Sequence, residues 1–136
     1  MIAIDTNILV RCLTLDDPAQ VPAAKTLLAH ADGVFIAKTT LLELEWVLRA
    51  AYKVPRSGIH TALTCVLGLP NVCAENETQV ARALQGYGQG LGFADALHLA
   101  SSPAEEGFFT FDEKFVQLAT ASGHKVVLAS ALEPAP

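Results

Sequence analysis

Short apolar runs alternate with longer amphipathic segments along this chain, and the alternation predicts its elements. Residues 1–4, Met-Ile-Ala-Ile, read as a short buried strand, and Asp5-Thr6-Asn7 turns it into an apolar helix from Ile8 to Leu13. Asp16-Asp17-Pro18 carries helix-start chemistry with proline in the first turn, and that helix is expected to reach about Ala31. Asp32-Gly33 is a turn and Val34-Phe35-Ile36-Ala37 a second strand. Thr39 or Thr40 is the expected cap of a helix running to about Tyr52, and Pro55-Arg56-Ser57-Gly58 separates it from a helix over Ile59–Leu67. Val72-Cys73 is a third strand, and Asn76 caps a helix ending near Tyr87. Gly86, Gly88, Gly90 and Gly92 predict a loose loop, followed by a very apolar helix from Phe93 to Ser101 that Pro103 ends early. Gly107-Phe108-Phe109-Thr110-Phe111 is a fourth strand, Asp112 opens another helix, and Lys125-Val126-Val127-Leu128 is the last strand.

Strands that alternate with helices predict an α/β fold with a mostly parallel sheet. The strands are short and apolar throughout, as when helices cover both faces. In such sheets ligands bind beyond the carboxyl ends of the strands, where the strand order reverses. Two strands end in an acid, Ile4 before Asp5 and Phe111 before Asp112. If both flank the reversal, their carboxylates meet there.

Composition narrows the class. At 136 residues, 51% hydrophobic and 17% charged, the chain suits one domain with a proper core, expected over residues 1–132 with a Pro/Ala tail at 133–136, and it is not a disordered polymer. It lacks an apolar run of the ~18 residues that a membrane helix needs, and its start, without a basic region, is not expected to be a signal peptide. Cys12, Cys65 and Cys73 are odd in number and widely spaced, which predicts neither a disulfide scaffold nor a zinc ribbon and suits a reducing cytoplasm. The net charge of −5 argues against binding nucleic acid by phosphate neutralisation alone. It leaves open an enzyme that meets phosphates through bound cations.

The chemistry then rests on acids in apolar surroundings. Asp5 and Asp112 each admit a plain reading as helix N-caps. Asp95 lies in Leu91-Gly92-Phe93-Ala94-Asp95-Ala96-Leu97-His98-Leu99-Ala100 without a basic residue three or four positions away, so it is expected to be costly unless paired, hydrogen-bonded or bound to metal. Glu43 and Glu45 lie in Thr40-Leu41-Leu42-Glu43-Leu44-Glu45-Trp46-Val47-Leu48-Arg49. Glu45 precedes Arg49 by four residues and is expected to face solvent as half of a surface pair, which leaves Glu43 as the functional candidate. Convergent carboxylates commonly hold Mg²⁺ or Mn²⁺, hard cations that prefer oxygen, and such ions assist phosphodiester hydrolysis. His30, His60, His98 and His124 have no metal-ligand spacing, although His98 is three residues after Asp95 and within reach of orienting it. Arg11, Lys38, Arg49 and Lys114 lie near the acids in sequence, as phosphate contacts or solvated charges, and Trp46 is expected in a core or a dimer contact.

The acidic segments resemble those of PIN-domain ribonucleases. Met-Ile-Ala-Ile-Asp-Thr-Asn-Ile-Leu-Val is similar to the opening of that family, and Leu42-Glu43-Leu44-Glu45-Trp46-Val47-Leu48 to its second acidic motif, with the acid at Glu43. Phe93-Ala94-Asp95-Ala96-Leu97-His98-Leu99-Ala100 resembles the third and Phe109-Thr110-Phe111-Asp112 the fourth. The motifs occur in the family's order over nearly the whole chain, and its length is closest to the VapC toxins of type II toxin–antitoxin pairs. The resemblance implies a three-layer α/β/α fold with strand order 3-2-1-4-5. It implies a Mg²⁺- or Mn²⁺-dependent endoribonuclease, often a homodimer, restrained by a VapB-like antitoxin. Asp5 and Asp95 would then be direct metal ligands, Asp112 a ligand directly or through water, and Glu43 the group that holds or orients a water at the metal. Gly92 departs from many relatives, which carry an acid there, and this bears on how many ions bind. Two other classes are weighed against this one. An inactive PIN fold that only binds protein would be favoured by loss of an acid, and all four are present. A haloacid-dehalogenase-like phosphotransferase with Asp5 as nucleophile would carry a second Asp where this chain has Asn7.

Overall fold

The computed structural model describes residues 1–102 and 105–134. Pro103 and the end of the tail, Ala135 and Pro136, lie outside the described residues. The chain divides into two compact units, Met1–Val80 and Ala81–Pro136, and each is described by itself.

The first unit is built on three parallel strands, β1 (Ile2–Ala3), β2 (Val34–Ile36) and β3 (Val72–Ala74), in the order β1-β2-β3. Ile2 pairs with Val34, and Val34 in turn with Val72. Strand β2 is central, and its Val34 and Ile36 are fully buried on one face. The helices are α1 (Thr6–Thr14), α2 (Gln20–His30), α3 (Lys38–Ala50) and α4 (Arg56–Leu67). Helix α3 packs against α1 and α4. It buries Leu41, Leu44 and Leu48, and α4 buries Ile59, Leu63 and Val66, the i, i+3/i+4, i+7 stripes of amphipathic helices. Each such side chain contributes about 1.5–3 kcal/mol on burial.

Local chemistry sets the helix ends. Helix α2 begins at Gln20, where Asp17 Oδ1 accepts from the backbone N–H groups of Ala19 and Gln20, both at 3.0 Å. Neither threonine caps α3. The helix starts at Lys38, whose N–H donates to Glu75 Oε1 at 2.9 Å, so a carboxylate just past β3 supplies a cap that local sequence does not carry. Helix α1 ends on Leu15 in the left-handed region, at φ 57°.

Helix α5 (Glu77–Gly88) begins in the first unit and runs on into the second. Asn76 caps it, accepting from Gln79 N–H at 3.2 Å. The expected glycine loop is shorter than its four glycines suggest, because Gly86 and Gly88 belong to α5. Gly86 is buried, and a Cβ there would come within 3.2 Å of Leu91 Cδ1, so the glycine serves close packing.

The second unit adds α6 (Phe93–Ser101), β4 (Phe108–Thr110), α7 (Glu113–Ala121) and β5 (Val126–Leu128), followed by a 3₁₀ turn over Ala129–Ala131. Strands β4 and β5 pair in parallel, Phe108 opposite Val126. Gly107 enters β4 at φ +114°, and a Cβ there would meet Val127 Cγ2 at 3.2 Å, so both backbone and space require glycine. Tyr87 and Phe93 stack edge to face at 5.5 Å, and Phe108 and Phe115 lie 5.6 Å apart. The α/β class with parallel strands is as expected. The pairings β1-β2-β3 and β4-β5 are present, each within its own hydrogen-bonded sheet, and they do not confirm the expected single order 3-2-1-4-5.

Candidate active site

Each unit carries two of the expected acids. In the first, Asp5 follows β1 and caps α1, its Oδ1 accepting from Thr6 N–H at 2.7 Å. The side chain is exposed, and that one hydrogen bond uses a quarter or so of a carboxylate's roughly four acceptor sites. Glu43 is also exposed, on α3.

Glu45 overturns the expectation of a solvent-facing residue. It is 4% exposed, and its carboxylate accepts from Arg49 Nε at 2.9 Å and Nη2 at 3.3 Å. Position 45 lies four residues after Leu41 and three before Leu48, which puts it on the buried stripe of α3. The i, i+4 spacing to Arg49 is present, and the face is the opposite of the one that spacing suggested. Glu43, offset by about 200° from position 45, is left on the outer face.

In the second unit, Asp95 lies in the first turn of α6 and is exposed. The expectation of a costly carboxylate among apolar groups is not met, because Phe93, Ala96 and Leu97 form the buried face and Asp95 points away from it. An anion in a first helical turn is favoured by the backbone dipoles, which here have no capping side chain, the N-cap being Gly92. A Cβ on Gly92 would stand 3.5 Å from Asp95 Oδ2. An acid at position 92 would therefore crowd Asp95 with like charge, and this chain lacks that repulsion. Asp112 is exposed and caps α7, its Oδ1 accepting from Phe115 N–H at 3.0 Å. Its own N–H donates to Thr110 Oγ1 at 3.1 Å.

Asp5, Glu43, Asp95 and Asp112 make no ion pair with a basic side chain among the described residues. Oxygen donors without cationic partners are the donor set that Mg²⁺ or Mn²⁺ requires. Among the described residues neither unit alone gathers three or more His, Cys, Asp or Glu side chains into a metal cage.

The nearby cations are largely committed. Arg11 donates to Gln20 Oε1 at 2.7 Å, to Asp16 Oδ1 at 3.1 Å and to the Tyr52 hydroxyl at 3.3 Å. Asp16 also accepts from Tyr52 at 2.7 Å and from Thr14 at 2.8 Å, and these two hydroxyls hold its carboxyl below the usual range. No spacing in the sequence announces this network, which joins residues 36 positions apart. Lys38 Nζ donates to Gln79 Oε1, and Lys114 is exposed. Trp46 is 57% exposed and so lies outside the core of this chain. His98 is exposed, and no hydrogen bond joins it to Asp95 among the described residues. Burial pushes the thiols of Cys12 and Cys73 up, away from nucleophilic thiolates.

The PIN domain family model matches residues 2–121. Ribonuclease VapC23 of Mycobacterium tuberculosis, in strains CDC 1551 / Oshkosh and ATCC 25618 / H37Rv, is 35% identical over 106 residues, which cover 74% of this chain and 82% of the relative. The described residues include no helix long and apolar enough to cross a membrane. The match spans all of the acidic segments, and the chain belongs to the PIN-domain family, in its VapC-like group.

Proposed function

We propose that this chain is a Mg²⁺- or Mn²⁺-dependent endoribonuclease, the cytoplasmic toxin of a VapBC-type pair, restrained by a VapB-like antitoxin and acting as a homodimer. The observation that carries the reading is the state of the acids. Asp5, Glu43, Asp95 and Asp112 are all exposed and free of cationic partners among the described residues, in a chain 35% identical to a VapC ribonuclease. Retention of all four acids favours an enzyme over a binding module.

In this reading residues 1–132 fold as one PIN domain in three α/β/α layers with strand order 3-2-1-4-5, and the four acids are its catalytic set. Asp5 and Asp95 hold the ion directly, and Asp112 completes the site. The ion supplies charge stabilisation at the phosphodiester when bound. The protein's own contribution is orientation. Asp5 and Asp112 are fixed by hydrogen bonds to the helix starts they cap, so little rotamer freedom is lost on binding. Glu43 stands on a helix anchored by Leu41, Leu44 and Leu48 and orients the attacking water as a proton acceptor.

The test is incubation of the purified protein with total RNA under Mg²⁺, Mn²⁺ or chelator, beside Asp5→Asn. Cleavage that needs the ion and the acid supports the reading. Cleavage that survives complete chelation, or that Asp5→Asn retains in full, rejects it.

A further inference from the structure

A small cavity in the second unit has a composition unlike the rest of this acidic chain. Its volume is about 160 Å³, and Arg82, Ser102, His124 and Lys125 line it together with apolar Leu99 and Phe108. Carboxylates are missing from its described lining, although Glu105 and Glu106 precede β4 in sequence. The chain has 14 acids against nine lysines and arginines, and Arg11 and Arg49 each pair with one of the acids. Arg82 and Lys125 make no ion pair among the described residues, yet share one concavity.

We propose that this cavity is a phosphate-binding site distinct from the acidic residues. Arginine offers a planar fork of donors suited to phosphate oxygens, lysine adds a compact charge, and the Ser102 hydroxyl and the His124 ring add hydrogen bonds. The size selects the ligand. Sites for drug-sized molecules run to about 300–1,000 Å³, so this one takes a phosphoryl group and leaves the rest of any nucleotide outside. Its place also separates it from the acids of the same unit. Asp95 stands near the start of α6 and Ser102 just past its end, roughly 10 Å apart along a helix. Phe108 opens β4 and Asp112 follows its end, roughly 13 Å apart along a strand. The phosphate comes either from an RNA strand or from free phosphate and mononucleotides, and the two sources are separable.

Titration of ¹⁵N-labelled full-length protein with inorganic phosphate, without divalent metal, tests the site. Saturable shifts at residues around Ser102, Phe108 and Lys125 are expected. The Arg82→Gln/Lys125→Gln variant, verified as folded by its own spectrum, should bind at least tenfold more weakly, and Arg82→Lys/Lys125→Arg should retain binding. Asp95→Asn should bind phosphate as the wild type does, which keeps this outcome independent of the ribonuclease reading. A raised RNA KM with unchanged kcat in the glutamine variant assigns the phosphate to RNA. An unchanged KM with lost phosphate binding assigns it to free phosphate or a mononucleotide. Absence of saturable shifts in the wild type, or undiminished binding in the glutamine variant, overturns the proposal.

Discussion

The carboxylate of Glu45 and the guanidinium of Arg49 meet 2.9 Å apart on α3 with opposite burial, the acid's side chain 5% exposed and the arginine's 57%. The pair thus anchors an acid inside the protein to a base at its surface. Arg49→Ala removes two charge-assisted hydrogen bonds from that acid and should cost about 1–3 kcal/mol of stability, below the penalty for a fully buried pair because water reaches Arg49. Adding Glu45→Leu replaces the buried charge with an apolar side chain and should recover part of the loss. Urea unfolding of both variants measures it, and a double variant less stable than Arg49→Ala alone would refute the account.

Glu43 gives the contrasting case two positions away. It is exposed, so Glu43→Gln should shift stability by less than about 0.5 kcal/mol. Its cleavage rate should fall roughly a hundredfold or more, the scale of losing a positioned proton acceptor. Glu45→Gln should show the reverse, reduced stability with a nearly intact rate. Single-turnover cleavage of one RNA at saturating Mg²⁺, paired with thermal melts, separates the two.

Divalent ion should stabilise the protein as well as activate it. Ion bound only by the folded state raises the melting temperature with concentration. The rise should shrink in Asp5→Asn and in Asp95→Asn. Equal shifts in both variants and the wild type would place the ion elsewhere.

The acid limb of the stability profile should report on Asp16. Hydrogen bonds from Tyr52 and Thr14 hold its carboxyl below the ordinary value. Stability from those bonds is therefore complete above the unfolded-state pKa of about 3.9 and is lost as pH falls through the folded one. Tyr52→Phe should lower stability by a constant amount near neutrality, and the gap to wild type should narrow below about pH 4. A gap independent of pH down to pH 2 would mean that Tyr52 acts through packing alone.

Local rules made much of this chain legible. Strand β2, the end of helix α4 at Leu67 and the caps at Asp112 and Asn76 stand where apolar runs and capping residues put them, because the forces that fix them act within a few positions. Helix α4 itself starts three residues before the expected Ile59 and takes in Arg56, Ser57 and Gly58. The failures share the opposite cause. The cap on α3 comes from Glu75, 37 residues away. Ion-pair spacing alone puts Glu45 outside, whereas the apolar stripe of Leu41, Leu44 and Leu48 decides the buried face and takes Glu45 with it. Asp95 needed no rescue from burial, since the sequence around it is apolar on one helix face only. Gly86 reads as a loop residue until Leu91 is brought against it. The acids themselves are legible by position in ordered motifs, and composition does not carry their exposure.

The two capping acids also set how easily this protein can be disarmed. Asparagine caps a helix about as well as aspartate, so Asp5→Asn and Asp112→Asn keep the bonds to Thr6 and Phe115 while removing the charge. Each exchange needs one nucleotide transition in the codon. A lineage under pressure to silence the protein therefore has short mutational routes that leave a folded product, which can still occupy a binding partner. The same change at the buried Glu45 offers no such route, because it weakens the fold and leaves the four exposed acids in place.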